Sequence, residues 1–330
     1  MKNTQILLAA RPRGFPDETC FRVVETDVPT PKAGEVLVKN HFLSLDPYMR
    51  GRMSDAKSYA APQPLDAVMI GGTAGEVVAS EDPGLAIGDR VVGMLGWQEY
   101  GVASAKALRK VDPSVPLSLY LGALGMPGVT AYVGLVDIGA PKEGETVVVS
   151  AAAGAVGSVV GQLAKSRGAR AVGIAGGADK CAYVTGELGF DACVDYKSPT
   201  LREELAASTP GGVDVYFDNV GGVVLDTVLP RLNTFARVPV CGLVSQYNAT
   251  EPYGVRAFGA ILVSRVKVQG FIVTDHMERW PEALRELGRL HAAGGLRGRE
   301  TVAVGLRNAP AAFFGMLKGH NLGKQLVDLR

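Results

Sequence analysis

Residues 145–169, ETVVVSAAAGAVGSVVGQLAKSRGA, constrain the fold of this chain more than any other stretch. The run 145–150 is short and rich in β-branched residues, which is typical of a buried strand. A turn of small residues follows, and an apolar-periodic segment over 156–167 predicts a helix. Strand, glycine turn and helix in this order form the first half of a βαβ unit, so the sequence predicts a parallel α/β sheet here.

The turn over 152–157 fits the dinucleotide-binding fingerprint, with Ala152 in the first glycine position. A pyrophosphate binds the N–H groups at a helix start only where no side chain blocks its approach. Gly154 supplies that bare backbone, Gly157 lets the helix approach the strand, and Ala152 implies a tight turn at negative φ. A plain strand-to-helix turn is the alternative. The turn contributes to the predicted cofactor site Ala153, Gly154, Ala155 and Val156.

The next predicted strand, 170–175, decides the choice of cofactor. NAD-binding proteins carry an acidic residue at the end of this strand. Here the strand ends in Gly176-Gly177, which leaves room for a 2′-phosphate, and Lys180 follows within one helical turn. Asp179 is expected to be the N-cap of the helix, bound to backbone N–H groups. The sequence therefore favours NADPH over NADH.

Composition excludes several classes of protein. A length of 330 residues suits two domains, and 47% hydrophobic with 20% charged residues is typical of a soluble globular protein. The net charge of +1 favours neither nucleic acid nor an acidic membrane as partner. The N-terminus is too short and too broken for a signal peptide, and no apolar run reaches membrane-spanning length. We therefore expect a cytoplasmic protein.

The four cysteines and four histidines are scattered along the chain. No C-x-x-C pair, H-E-x-x-H motif or tight Cys/His cluster occurs, so neither disulfides nor a metal site are expected.

Two parts of the chain differ in pattern. Residues 1–127 contain short strand-like runs between Gly and Pro, at 35–40, 74–79 and 88–93, which predict a partly open β-barrel. From 128 onward strands and helices alternate, which predicts a doubly wound parallel sheet. We therefore predict a catalytic domain at 1–127, completed by 303–330, and a Rossmann domain at 128–302. Beyond the fingerprint, the predicted strands are 192–195, 213–219, 237–243, 267–273, 302–304 and 325–329, and the predicted helices are 199–207, 224–232, 278–293 and 310–318.

Seven stretches in order carry a family resemblance: LSLDPYMRGRM (43–53), GMPGVTAY (125–132), the fingerprint, FDNVGG (217–222), CG (241–242), QGFIV (269–273) and GHNLGKQ (319–325). The chain resembles the zinc-free medium-chain dehydrogenases/reductases, in the leukotriene B4 dehydrogenase / prostaglandin reductase / alkenal double-bond reductase branch. The resemblance implies a GroES-like barrel domain beside the Rossmann domain. Zinc-binding relatives have a cysteine at Asp46 and G-H-E at 71–73, and both are missing here.

The resemblance also implies NADPH contacts at Gly154, Lys180, Tyr196, Asn219 and Asn321. For three of these an ordinary structural role is the alternative. Tyr196 reaches the 2′-phosphate or packs on a strand end, Asn219 contacts the cofactor or holds the following turn, and Asn321 contacts it or caps a turn.

Further residues are expected around the nicotinamide on the same resemblance. Pro127 and Thr130 border the ring, and the backbone of Cys241 and Gly242 passes behind it. The run 271–273 forms another wall, although an ordinary core strand would look the same. Its members are Phe271, Ile272 and Val273.

Hydride addition to the β-carbon of an enone creates an enolate oxygen, which needs a donor where no metal is present. Tyr48 and Tyr247 are the protein candidates, each with a structural tyrosine as the alternative, and Tyr253 is a weaker third. Tyr247 is also expected to contact the cofactor. Val263 stands where some plant relatives have a tyrosine, so the α-carbon proton is expected from solvent. Arg50 and Arg52 are either solvated or internally paired, or they grip an anionic substrate tail.

These observations predict an NADPH-dependent reductase of the carbon–carbon double bond in α,β-unsaturated ketones and aldehydes. An NADPH-dependent quinone oxidoreductase and a non-catalytic NADPH-binding protein remain the alternatives, because a binding motif does not prove turnover. The resemblance further implies a homodimer that pairs through the sheet edge at 267–273.

Overall fold

The structure is a computed structural model that describes residues 1–330 and contains two compact units. Unit 1 comprises Met1–Leu121, Glu300–Asn321 and Gln325–Arg330. Unit 2 comprises Gly122–Arg299 and Leu322–Lys324. The sequence placed the divisions after residues 127 and 302, and the functional roles assigned to the two parts stay predictions.

Unit 1 is built on an antiparallel sheet of seven strands, ordered β14-β15-β3-β4-β5-β7 with β6 paired to β3, beside the hairpin β1-β2. Trp97 is fully buried at its core, between Phe21 and Phe313. The strands and helices of this part are β1 (Lys2–Leu8), β2 (Phe21–Asp27), β3 (Glu35–Ser44), α1 (Tyr48–Arg52), β4 (Thr73–Ser80), β5 (Arg90–Gly93), β6 (Tyr100–Ser104), β7 (Arg109–Lys110), β14 (Glu300–Val304), α9 (Ala309–Leu317) and β15 (Lys324–Asp328).

Unit 2 contains six parallel strands in the order β10-β9-β8-β11-β12-β13. This is the strand order of a doubly wound dinucleotide-binding sheet. All five residues of β8 are buried, as expected of a central parallel strand. The strands and helices are α2 (Met126–Tyr132), β8 (Thr146–Ser150), α3 (Gly157–Ser166), β9 (Arg170–Ala175), α4 (Ala178–Gly186), β10 (Ala192–Asp195), α5 (Leu201–Ser208), β11 (Val213–Phe217), α6 (Gly222–Val228), β12 (Leu232–Val240), α7 (Gly259–Val263), β13 (Lys267–Gly270) and α8 (Trp280–Ala292).

The predicted helix at 224–232 and strand at 237–243 have different bounds in the structure. Helix α6 already begins at Gly222 and gives way to a 3-10 turn at Leu229–Arg231, and β12 starts at Leu232. The register of β12 against β11 shifts between Leu232 and Arg237, where Phe235 has a φ of 64°. This irregularity hides the strand from a period-of-two pattern.

The predicted fold class, an α/β protein with a barrel-type antiparallel domain and a Rossmann domain, is confirmed. No helix combines the length and apolarity that a membrane span requires.

Candidate active site

In the fingerprint turn after β8, the backbone segments pack closely against one another. An ideal Cβ on Gly157 would lie 2.4 Å from the Ala151 carbonyl oxygen and 2.9 Å from the Ala152 Cα, so only glycine fits there. Ala152 is not in the left-handed region, as predicted, but its neighbour Ala151 has a φ of 50°. The strained residue of this turn is thus an alanine one position before the first fingerprint position.

The N–H groups at the start of α3 are not all available. Gly154 donates its N–H to Ala151 O at 2.9 Å, whereas Ala155, Val156 and Gly157 donate to no other group in the chain. These three N–H groups, at the positive end of a ten-residue helix, are therefore the ones that can bind a pyrophosphate. Gly154 contributes by its missing side chain, since a Cβ there would meet only Ala151 O, at 3.1 Å.

The end of β9 is organised by the loop after β10. Gly177 has a φ of 97° and is the N-cap of α4, so the expectation that Asp179 caps this helix is wrong. No side chain caps α4, and Asp195 fixes the Gly177 backbone by accepting its N–H on Oδ1 at 2.9 Å. Asp179 lies within the first turn of α4 instead. An ideal Cβ on Gly176 would lie 2.6 Å from the Tyr196 ring, so a larger residue there would displace this half-exposed tyrosine.

Two lysines come together at this loop. Burial lowers the pKa of Lys180, and the positive charge of Lys197 lowers that pKa further. The Lys197 Nζ lies 6.0 Å from the centre of the Tyr196 ring, which is 47% exposed. Two cations that repel each other beside a bare glycine backbone favour an anion such as a 2′-phosphate. Tyr196 packs on the strand end and borders the cation pair, and its contact with a 2′-phosphate stays a prediction.

The carboxyl ends of β8 and β11 are tied together by Ser150, Asp218 and Asn219. Asn219 donates its N–H to Ser150 Oγ at 2.8 Å and its Nδ2 to Ser150 O at 2.7 Å. The fully buried Asp218 accepts on Oδ1 from Ser150, Tyr216 and two backbone N–H groups, while its Oδ2 has no partner. The turn after Asn219 is held by Asp218, which accepts the Val220 and Gly221 N–H groups, whereas Asn219 ties β11 to β8. The Asn219 Oδ1 accepts no hydrogen bond within the chain, and its contact with the cofactor stays a prediction.

The segment after β12 brings three predicted residues together. Cys241 and Gly242 both donate their N–H groups to Asp218 O, at 2.8 and 3.3 Å. Burial, with a smaller contribution from Asp218, raises the pKa of Cys241 to about 12, so its thiol stays protonated. The Tyr247 hydroxyl lies over this backbone: a Cβ on Gly242 would lie 2.9 Å from it, and Leu243 donates its N–H to it at 3.4 Å.

The remaining predicted cofactor residues of unit 2 lie at its core and at α2. Pro127 is buried in the first turn of α2, and Thr130 donates its hydroxyl to Met126 O at 2.8 Å. Phe271 is buried with its ring 6.3 Å from that of Phe217, and Val273 is also buried, whereas Ile272 is half-buried.

In unit 1, Asn321 is half-buried and precedes Gly323 by two residues. Within unit 2, Gly323 in turn donates its N–H to Ala153 O at 2.9 Å.

In unit 1 the candidate residues lie on α1, which follows β3. Tyr48 is half-buried, and its hydroxyl is shielded from solvent without any hydrogen-bond partner. Burial, followed by the charge of Asp46, raises the pKa of Tyr48 far above its ordinary value, so the phenol remains a hydrogen-bond donor. An unpaired buried hydroxyl costs about 1–3 kcal/mol, which a ligand oxygen would offset.

The two arginines of α1 differ in their surroundings. Arg50 is 6% exposed and donates Nη2 to Gly14 O at 2.7 Å. It is therefore paired within the protein, which was one of the two roles expected for these arginines. Arg52 is half-buried, its guanidinium has no partner, and its Nη1 is shielded from solvent.

Asp46, which stands where zinc-binding relatives have cysteine, accepts a hydrogen bond from Ser44 Oγ on its buried Oδ2. The structure contains no cluster of three or more His, Cys, Asp or Glu side chains arranged to hold a metal ion.

Sequence reasoning missed three groups. The first is Lys197, which lies next to Lys180. Its position directly after Tyr196 was a signal in the sequence, but its approach to Lys180 depends on the turn in which Asp195 accepts the Lys197 N–H. The second is Arg52, since nothing in the sequence predicts that its side chain lacks a partner. Cys181 and Cys193, twelve positions apart, are free thiols with Sγ atoms 3.2 Å apart.

Taken together, unit 2 has the strand order, glycine turn and cation pair of a phosphorylated dinucleotide site, and unit 1 carries unpaired donors on α1. This combination defines a nucleotide-dependent oxidoreductase. A profile described as the N-terminal domain of oxidoreductase matches residues 4–111, and one described as zinc-binding dehydrogenase matches residues 155–289.

Individual relatives match almost the whole chain. The NADPH-dependent curcumin reductase of Escherichia coli (strain K12) is 50% identical over 334 residues, covering 99% of this chain and 96% of the relative. The 2-alkenal reductase (NADP(+)-dependent) of Nicotiana tabacum is 40% identical over 338 residues, with coverages of 99% and 97%. The crystal structure of CurA in complex with NADPH from Vibrio vulnificus has a TM-score of 0.94 at 48% identity, covering 99% of both chains. The chain belongs to the medium-chain dehydrogenase/reductase family, in its prostaglandin reductase and alkenal reductase branch.

Proposed function

We propose that this protein is an NADPH-dependent reductase of the carbon–carbon double bond in α,β-unsaturated ketones and aldehydes. The observation that carries the proposal is full-length similarity to enzymes named curcumin reductase and 2-alkenal reductase, at 50% and 40% identity. Substrates of both names contain a carbon–carbon double bond conjugated to a carbonyl group. The paired cations at Lys180 and Lys197 support the phosphorylated cofactor independently of any relative.

The residues present fit NADPH. The N–H groups of Ala155, Val156 and Gly157 would bind the pyrophosphate, and Lys180, Lys197 and Tyr196 would surround the 2′-phosphate. Asp218 and Asn219 hold the carboxyl edge of the sheet, where ligands of doubly wound folds bind. When bound, NADPH supplies a hydride for the β-carbon of the substrate.

Protein hydroxyls then have one task, which is to donate to the carbonyl oxygen as it becomes an enolate. Tyr48 suits this task because its hydroxyl is protonated, shielded and without a partner. Tyr247 is the second candidate, and its hydroxyl already receives the Leu243 N–H. The α-carbon proton comes from water in this proposal, since Val263 carries no proton to give.

Steady-state assays with NADPH and a panel of enones, enals and quinones test the proposal. We expect loss of the nicotinamide absorbance with enones and enals, a saturated carbonyl product by mass spectrometry, and slower turnover of quinones. Faster turnover of quinones would favour the quinone oxidoreductase alternative. Tight NADPH binding without turnover of any acceptor would leave a cofactor-binding protein instead.

We also propose a homodimer formed through the edge strand β13. The neighbouring surface exposes Phe258, Leu262 and Val263, of which Leu262 is 81% exposed. Apolar side chains beside an unpaired strand edge favour association with a second copy. Analytical ultracentrifugation should give the mass of a dimer, and a monomer at micromolar concentration would contradict the proposal.

A further inference from the structure

Helix α1 carries two pairs of residues one turn apart. Met49 and Met53 are fully buried in the core of unit 1, and Arg50 between them donates to Gly14 O. Tyr48 and Arg52 are neighbours on the helix surface, because residues i and i+4 of a helix lie on the same side. The Tyr48 ring packs against the same core as the methionines, so α1 is held firmly, whereas the polar ends of Tyr48 and Arg52 are left side by side.

The polar ends of Tyr48 and Arg52 lack hydrogen-bond partners. The Tyr48 hydroxyl and the Arg52 Nη1 are shielded from solvent and make no hydrogen bond, and no carboxylate pairs with Arg52. The helix cannot easily swing away, because Gln63 donates its N–H to Arg52 O at 2.8 Å and Arg11 donates Nη1 to Met53 O at 3.1 Å. An uncompensated half-buried cation beside an uncompensated phenol is costly, and a ligand oxygen that accepts from both offsets that cost.

The local charge indicates what kind of oxygen this is. Asp46, two residues before Tyr48, is 6% exposed and accepts from Ser44 Oγ. Its charge acts on Tyr48 together with that of Arg52, in the opposite sense. The environment of the phenol therefore contains one carboxylate, one guanidinium and a second phenol, that of Tyr59. A permanently anionic group gains little there, whereas a neutral carbonyl can enter and be stabilised by Arg52 as it acquires charge.

We propose that Arg52 is a catalytic residue that, together with Tyr48, donates a hydrogen bond to the carbonyl oxygen of the enone. This inference rests on the proposed function. As hydride adds to the β-carbon, the π electrons move onto the carbonyl oxygen, and Nη1 of Arg52 and the hydroxyl of Tyr48 bind the resulting enolate. A proton from water then adds to the α-carbon, so that hydride and proton together reduce the double bond and neither side chain changes its protonation state.

The test compares Arg52→Met, Arg52→Lys, Tyr48→Phe and the double variant Arg52→Met/Tyr48→Phe, with Arg13→Met as the matched control. Arg13 is an exposed arginine of the same unit without a partner. With cyclohexenone as substrate, Arg52→Met should lower kcat by about 10²-fold with little change in KM. Arg52→Lys should retain part of kcat, Arg13→Met all of it, and the double variant should lose less than the product of the single losses.

A change of acceptor makes the test independent of folding. Nitrocyclohexene carries developing charge on a nitro group that needs less stabilisation, so the loss in Arg52→Met should be smaller than with cyclohexenone. Every variant should keep the NADPH dissociation constant of the parent, and Arg52→Met and Tyr48→Phe should melt at the parent's temperature or above it, because each removes an unpaired polar group. If Arg52→Met is unstable, the loss of kcat in Arg52→Lys, compared between cyclohexenone and nitrocyclohexene, still tests whether Arg52 stabilises the enolate.

Four results would overturn the inference. An unchanged kcat in Arg52→Met, or equal losses on both acceptors, would exclude a role at the enolate. If Arg52→Met only raised the KM for an enone that bears a carboxylate, Arg52 would be a specificity residue. If Arg52→Met weakened NADPH binding, Arg52 would be a cofactor contact. A parent enzyme inactive on cyclohexenone and on every other enone would instead refute the proposed function itself.

Discussion

The start of α3 in unit 2 and the two polar side chains of α1 in unit 1 offer hydrogen-bond donors in two different ways. At α3 the donors are the backbone N–H groups of Ala155, Val156 and Gly157, which remain unsatisfied because they begin a helix. At α1 they are the Tyr48 hydroxyl and the Arg52 Nη1, which have no hydrogen-bond partner within the chain. The first arrangement depends on the absence of side chains, and the second depends on their presence.

This difference explains what each region can recognise. Backbone donors are the same in every sequence, so the α3 start suits a group that is always present, the pyrophosphate of a cofactor. Side-chain donors can be changed one at a time, so α1 can be adapted to an acceptor. We therefore expect substitutions to affect the two regions differently, with steric effects at α3 and effects on turnover at α1.

Lys180→Ala should produce the largest effect in unit 2, because here the phosphate site also uses side chains. We expect the NADPH dissociation constant to rise about 10–100-fold, the size of one charge-assisted hydrogen bond, and the NADH constant to change less than about 3-fold. Fluorescence titration of the reduced nicotinamide measures both constants.

Lys165→Ala is the matched control for this substitution. Lys165 forms a surface ion pair with Asp191 at 2.7 Å and should affect neither cofactor. Equal losses of affinity for NADPH and NADH in Lys180→Ala would mean that Lys180 does not bind the 2′-phosphate. Unit 2 would then bind its cofactor through backbone groups alone.

Much of the fold was predictable because local pattern and tertiary structure agree. Strands β9 and β10 have the predicted bounds, since each is a short apolar run between clear breakers. The segment 224–240 was harder because its apolar residues are interrupted by polar ones and follow neither the helix period nor the strand period over its whole length. Pro230 and the left-handed Phe235 set the actual change from α6 to β12.

The two regions also differ in how far their sites were predictable. Gly157 is a glycine because the Ala151 backbone lies too close for a side chain, so this part of the cofactor site could be predicted from the residue type. Asp179 was misassigned because the helix begins at Gly177, whose N–H is fixed by Asp195, eighteen residues away in the sequence. Arg50 and Arg52 look alike in sequence, and it is a tertiary contact, the bond from Arg50 to Gly14 O, that separates them.

Gly157→Ala should have the next largest effect, and it tests the steric side of the comparison. The new Cβ would lie 2.4 Å from Ala151 O, so α3 must move, and we expect the free energy of unfolding to fall by about 1–3 kcal/mol. Gly154→Ala is the paired variant, because its Cβ would meet the same oxygen at 3.1 Å and needs only a small adjustment. Urea denaturation measures both. Equal losses would mean that the close approach at Gly157 is not what the turn requires.

The smallest expected effect is a pH dependence confined to NADPH. Burial and Lys197 lower the pKa of Lys180 in the free protein, and a bound phosphate would raise that pKa again, so between the two values binding takes up a proton. NADPH affinity should therefore fall with rising pH from a point below the ordinary lysine value of about 10.4, by at most about tenfold per pH unit. NADH affinity should stay flat in the parent, and in Lys180→Ala this component of the NADPH dependence should disappear. A parallel fall for both cofactors would locate the titrating group at the backbone end of the site, and it would weaken the distinction between the two kinds of donor.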